Sequence, residues 1–143
     1  MIAGTPAASW RPVLAVFGAA VLAGCAASPV LAPAARRVVH RVTVAQARDL
    51  IALYGADLII VDVRSPEEFV AGHLPGAINL DENRPDIEAC LLELDWTETY
   101  LVYCRAGVRS ARAALRMVHA GLARVHDMTE GITGWLAAGG EIR

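Results

Sequence analysis

Beyond residue 40 the chain alternates between short, nearly continuous apolar runs and stretches whose apolar residues recur at helical spacing. Residues 41–44, RVTV, predict a short strand or lead-in, and Thr43 is placed to cap a helix through AQARDLIAL that Gly55 ends. DLIIVDV, residues 57–63, is apolar at successive positions and rich in β-branched side chains, which predicts a strand buried on both faces as in parallel sheets. SPEEF follows at once. Ser65 reads as an N-cap, Pro66 suits the first helical position, and Glu68 stands where a capping box places its glutamate. Gly72 ends that helix, and Pro75-Gly76 turn the chain into a brief strand over 77–80. Residues 86–94 predict a helix with Ile87, Leu91 and Leu94 on one face. TYLVYC, 99–104, predicts a second buried strand, and 107–119 a helix closed by Gly121. ARVHDM predicts the last strand and GITGWLAA a short final helix. Such alternation predicts an α/β fold with a parallel sheet, whose ligand site lies beyond the carboxyl ends of the strands. Two strand ends therefore matter most, Asp62-Val63-Arg64 and Tyr103-Cys104.

The first third of the chain follows a different rule. Residues 1–41 contain no acidic residue, and Arg11 precedes an apolar run, PVLAVFGAAVLAGC, whose core over 13–24 is 12 residues long. A membrane-spanning helix needs about 20. A positive residue, a short apolar core and small residues at the exit are the pattern of an export signal. Its exit, Leu22-Ala23-Gly24-Cys25, resembles the bacterial lipobox, in which the cysteine is lipidated and becomes the first residue after cleavage. The expectation is a signal peptide over 1–24, an Ala/Pro-rich tether over 25–40 and a folded domain over 41–143. The domain would be held to a membrane by lipid on Cys25, facing the periplasm within a bacterial cell envelope. A plain secretory signal with an incidental cysteine, or a short apolar anchor, is the alternative.

Charge and composition narrow the chemistry. The 143 residues carry a formal charge of −2, without the clustered basic face that nucleic acid requires. All 13 basic residues are arginine, so lysine-based chemistry is excluded.

The segment YCRAGVRS, residues 103–110, holds the strongest chemical signal. Cys104 leaves a strand just before a helix, where backbone N–H groups and the helix dipole favour a thiolate. Ala106 and Gly107 are small enough for the backbone to curl around the sulfur, and Gly107 allows backbone angles other residues avoid. Arg105 and Arg109 add cationic donors suited to oxyanions, although Arg109 is as well placed to pin the loop from within. The loop from Arg105 through Ala106, Gly107 and Val108 to Arg109 is the expected substrate cradle, with Asp62 and Arg64 as supporting residues that hold strand ends together.

The order of DVRSPEEFVAGHLPGAINL, YCRAGVRS and GITGWLAAG resembles the rhodanese domains, over about 100 residues from Arg41 to Arg143. The resemblance implies a rhodanese-like α/β fold, with a parallel sheet of about five strands and helices on both faces. It implies a thiosulfate-type sulfurtransferase in which Cys104 takes sulfur from a small-molecule donor as a persulfide. Cyanide or a thiol then removes it, with no cofactor and no metal. Related dual-specificity phosphatases place five residues between cysteine and arginine, whereas four separate Cys104 from Arg109, a cradle nearer the size of one sulfur atom. A phosphatase or arsenate reductase therefore ranks below a sulfurtransferase. A non-catalytic binding module on the same fold is the third reading.

Several tempting residues carry plainer roles. His73 reads as a turn residue, His119 and His126 lack metal-ligand spacing with any cysteine, and Trp135 reads as core. Cys90 reads as a small buried hydrophobe, with a Cys90–Cys104 disulfide left open because it requires close Cα atoms.

Overall fold

Strand β1 (Val38–Val42) leads into helix α1 (Val44–Tyr54), and one 3-10 turn (Gly55–Asp57) delivers the chain to β2 (Leu58–Asp62). Helix α2 (Pro66–Val70), strand β3 (Ile78–Asn79), helix α3 (Ile87–Leu92) and strand β4 (Thr99–Tyr103) follow, then α4 (Val108–Ala120), β5 (Arg124–Met128) and α5 (Gly131–Ala137). This computed structural model describes residues 37–143. The expected signal peptide, the lipidation site Cys25 and the tether as far as residue 36 lie outside the described residues.

Among the described residues five strands form one sheet in the order β1-β5-β4-β2-β3, every pair parallel. β4, at the centre, is buried at all five positions, as a strand covered on both faces must be. Side-chain alternation sorts the core into two layers. Val61, Val63, Tyr100, Val102, Cys104 and Val125 pack toward α3 and α4. Leu58, Ile60, Leu101, Tyr103 and Met128 pack on the other side, toward α1 and α5.

The helix starts follow their local chemistry. Thr43 and Gln46 form a reciprocal capping box, with Gln46 N–H donating to Thr43 Oγ1 and Thr43 N–H to Gln46 Oε1. Ser65 and Glu68 form a second, with Pro66 in the first turn. Glu130 Oε2 accepts from Val44 N at 2.6 Å, so the segment before α5 caps α1 across the fold.

One boundary differs from expectation. Residues 38–40, expected in the tether, belong to β1, and the strand ends at Val42 because Thr43 is already the helix cap. Pairing explains the shift, since Val38 to Val42 each face a residue of β5 from Arg124 to Met128 and Val39 packs against the core. No acidic or turn residue marks that start in the sequence.

Candidate active site

Cys104 follows the last residue of β4 and is 1% exposed. Four residues later the chain enters α4, and the N–H of its cap, Gly107, donates to Cys104 Sγ at 3.1 Å. Burial pushes the thiol pKa up. The backbone N–H and hydroxyl of Ser110 and the N–H groups of Ala106 and Gly107 pull it down, and their sum wins, leaving the thiol below its ordinary value. The donors are set before any substrate arrives, so a negative sulfur meets a ready cradle.

Two glycines make the loop possible. Gly107 has φ of +85°, and a Cβ there would drive into the backbone carbonyl of Thr129. Gly131 has φ of +58°, and a Cβ there would lie 2.5 Å from the carbonyl oxygens of both Cys104 and Arg105. That close approach lets the start of α5 hold the loop: Ile132 N–H donates to Cys104 O at 2.9 Å and Thr133 N–H to Arg105 O at 3.2 Å. The loop is thus fastened through its carbonyls, leaving N–H groups for the sulfur.

The two loop arginines do different things. Arg109 forms a two-pronged pair with Glu68 of α2, Nη1–Oε2 at 2.6 Å and Nη2–Oε1 at 2.9 Å. The pairing with Arg109 holds the Glu68 carboxyl at about 2. Arg105 is exposed at the rim, and among the described residues no carboxylate pairs with it. Val108, also at the mouth, is 68% exposed. Farther along α4, Arg112 makes a second two-pronged pair with Glu82, at 2.9 and 2.7 Å.

Asp62 and Arg64 form a buried ion pair at the end of β2. The Arg64 guanidinium donates to both Asp62 oxygens, with the shortest contact 2.6 Å, and to Gly72 O at 2.7 Å. It lies 5.9 Å over the Tyr103 ring, while Asn79 donates to the backbone carbonyls of Asp62 and Arg64. The contacts of this pair are therefore the end of β2, β3, the Tyr103 ring of β4 and the turn at Gly72.

The remaining residues singled out from sequence have partners of their own. His73 stacks on Phe69 at 3.8 Å, with Nδ1 2.9 Å from Phe69 O, and Trp135 is core. Cys90 is half-buried on α3, and Cys90 and Cys104 are both free thiols. Sequence reasoning missed the loop partnership of Glu68, which it read only as a cap, and missed Ser110 and Gly131 as parts of the cradle. The capping-box spacing explained Glu68 fully by itself, so nothing along the chain pointed on to Arg109.

Comparisons with known proteins agree with this geometry. The rhodanese-like domain family matches residues 43–138. The chain is 32% identical over 97 residues to thiosulfate sulfurtransferase GlpE of Pseudoalteromonas translucida, covering 68% of this chain and 89% of that protein. It is 33% identical over 113 residues to the chloroplastic thiosulfate sulfurtransferase 16 of Arabidopsis thaliana, covering 72% and 92%. Among solved structures, a rhodanese-like domain protein from Staphylococcus aureus aligns with a TM-score of 0.59 at 27% identity, covering 67% of this chain and 90% of that one. A rhodanese-related protein from Thermoplasma volcanium aligns with a TM-score of 0.62 at 24% identity, covering 73% and 97%, a likeness of fold. With a cradled cysteine at the carboxyl end of a five-stranded parallel sheet, and with a family match spanning most of its length, the chain belongs to the rhodanese-like domain family.

Proposed function

We propose that the chain is a sulfurtransferase that moves sulfane sulfur from thiosulfate or a similar donor to cyanide or a thiol, through a persulfide on Cys104. The observation that carries this reading is the buried Cys104 sulfur receiving the Gly107 N–H at 3.1 Å within a loop that also turns the Ala106 and Ser110 N–H groups toward it. The thiolate attacks the outer sulfur of thiosulfate. The new S–S bond forms as the old one breaks, and sulfite leaves with the electron pair. The acceptor then attacks the outer persulfide sulfur; cyanide leaves as thiocyanate and the Cys104 thiolate returns. N–H groups aimed at the sulfur stabilise the anion at both ends of the cycle, and Arg105 at the rim is placed to receive the sulfonate of the donor. The relatives named as thiosulfate sulfurtransferases support the donor class.

Intact-mass analysis tests the reading. Thiosulfate should add one sulfur atom to the protein, localised to Cys104, and cyanide should remove it as thiocyanate. Turnover no greater than that of Cys104→Ser would overturn it. Hydrolysis of an aryl phosphate, abolished in the same variant, would instead favour the phosphatase reading.

A second proposal concerns location. The segment Leu22-Ala23-Gly24-Cys25 after a 12-residue apolar core supports lipidation at Cys25 and attachment to a membrane at the periplasmic face of a bacterial envelope. Expressed in a bacterial host, the full chain should partition into detergent and Cys25→Ser into water. Equal partition of the two would rule this attachment out.

A further inference from the structure

On the strand beside the one that leads to Cys104 lies a carboxyl group that the transfer chemistry does not use. Asp127 on β5 is fully buried, and neither of its carboxylate oxygens has a hydrogen-bond partner among the described residues. Asp127 pairs with Val102, two residues before Cys104 on the neighbouring strand. Alternation turns Asp127 and Cys104 to the same side of the sheet, the side covered by α4. Strands about 4.8 Å apart that rise about 3.3 Å per residue set such diagonal neighbours beyond hydrogen-bond reach, a gap that one hydroxyl can span.

Ser110, in the first turn of α4, supplies that hydroxyl. It too is fully buried, and its Oγ also lacks a conventional partner. It acts on both neighbours, opposing the burial that pushes each upward: its hydroxyl pulls down the pKa of Cys104 and that of Asp127. Orphaned polar groups at such depth are rare, and a hydroxyl can donate to one side while accepting from the other.

We propose that Cys104 and Asp127 hold one proton in common, passed between them through the Ser110 hydroxyl. The step balances. The Cys104 S–H proton moves to Ser110 Oγ as the proton of Ser110 moves to the Asp127 carboxylate, leaving a thiolate and a neutral carboxylic acid. Net charge is unchanged, and no oxidant or reductant takes part. Asp127 and Ser110 are positioning residues, since Cys104 alone meets the donor; the proposal rests on the sulfurtransferase reading only for what the thiolate does next. The surrounding charges leave room for this exchange. Arg41 of β1 stands in register beside Asp127 without an ion pair, and Arg109 and Arg112 of α4 act on Cys104. Glu68 of α2 and Glu82 already pair with those two arginines, and Asp62 of β2 lies near Arg109. A cleft of about 270 Å³ on the far side of β5 and α4 from the loop mouth is lined by Val39, Arg41, Ala111, Leu115 and Asp127.

Iodoacetamide alkylation of the full chain across pH, followed at the Cys104 peptide by mass, tests the proposal without any sulfur donor. A chain that fails to transfer sulfur therefore still tests it. Two groups sharing a proton titrate as a pair, so the wild-type rate should climb in two steps, the upper one creating two adjacent anions. Asp127→Asn, whose amide stands where the protonated acid does, should lose the upper step. Ser110→Ala should move the lower step to higher pH. In infrared difference spectra, alkylation at neutral pH should shift or remove a carboxylic acid carbonyl band in the wild type, because the thiolate beside the acid is lost, and leave Asp127→Asn unchanged. A one-step wild-type profile, or an Asp127→Asn profile superimposable on the wild type, overturns the proposal. If Asp127→Asn fails to fold, a wild-type infrared spectrum that does not respond to alkylation does the same.

Discussion

Glu68 and Arg109 lie 41 residues apart and meet through two parallel hydrogen bonds of 2.6 and 2.9 Å, tying the helix after β2 to the helix after the cysteine loop. Glu68 Oε2 also accepts the Ser65 N–H at 3.2 Å, so one carboxylate caps α2 and fixes the loop arginine. Arg109 thereby becomes part of the frame of the cradle, and Arg105 is the cation left at its rim.

Loss of this tie has a defined pH signature. The Arg109 pairing depresses Glu68 to about 2, below its ordinary 4.5, so its stabilisation is present above about 4.5 and is lost as pH falls toward 2. Because the pair is partly exposed, its worth is about 1 kcal/mol. Urea unfolding should find Glu68→Gln less stable by about that amount at pH 7, with the gap to the wild type closing in acid. A gap independent of pH would show that the ion pair is not its source.

Arg105 should act on donor binding. Arg105→Gln is expected to raise KM for thiosulfate about tenfold, the loss of about 1.4 kcal/mol, with kcat nearly unchanged. Arg109→Gln, which frees the loop, should lower kcat as well. Steady-state kinetics of both variants separate the roles, and an unchanged KM in Arg105→Gln would remove that residue from the donor site.

Asp62 and Arg64 are 0% and 6% exposed, so breaking the pair leaves a charge in the interior. Asp62→Ala should destabilise the domain by about 3–5 kcal/mol. Chemical denaturation of Asp62→Leu with Arg64→Met should show recovery of much of that loss, since no unpaired charge remains. A double variant as unstable as Asp62→Ala would argue against charge burial as the cause.

Gly131→Ala places a methyl group against the carbonyls of Cys104 and Arg105 in a left-handed backbone conformation. The backbone conformation alone costs about 1–3 kcal/mol, and the added methyl pushes the loop from α5. Both melting temperature and Cys104 alkylation rate at pH 7 should fall. A stable variant with a wild-type alkylation rate would show that the loop does not depend on that close approach.

The apolar rhythm beyond residue 40 marked out the strands and helices because buried parallel strands read as unbroken apolar runs. Glycine, proline and capping residues then marked their ends at Gly55, Ser65-Pro66 and Gly121. The start of β1 was hidden because an edge strand mixes exposed His40 and Arg41 with valines. Cys104 was legible from a local pattern of strand, small residues and helix. The partners of its loop were not, because Glu68 and the segment at Gly131 reach it through the sheet order and helix packing, and no local spacing encodes contacts between residues so far apart. Ser110 stood in plain view beside the loop, yet nothing in the sequence said that its hydroxyl turns inward.

The parallel pairing of β1 with β5 sets Val38 beside Arg124, and α5, which grips the loop carbonyls, comes later still. Contacts of such high sequence separation form slowly. Until β5 and α5 dock, the carbonyls of Cys104 and Arg105 lack the Ile132 and Thr133 N–H groups that fasten the loop. Emergence from the ribosome places those elements after the cysteine loop, so a growing chain presents Cys104 before the segment that fastens its loop. Pulse alkylation during refolding should follow this, with rapid low-pH reactivity at Cys104 appearing only together with protection of the α5 amides.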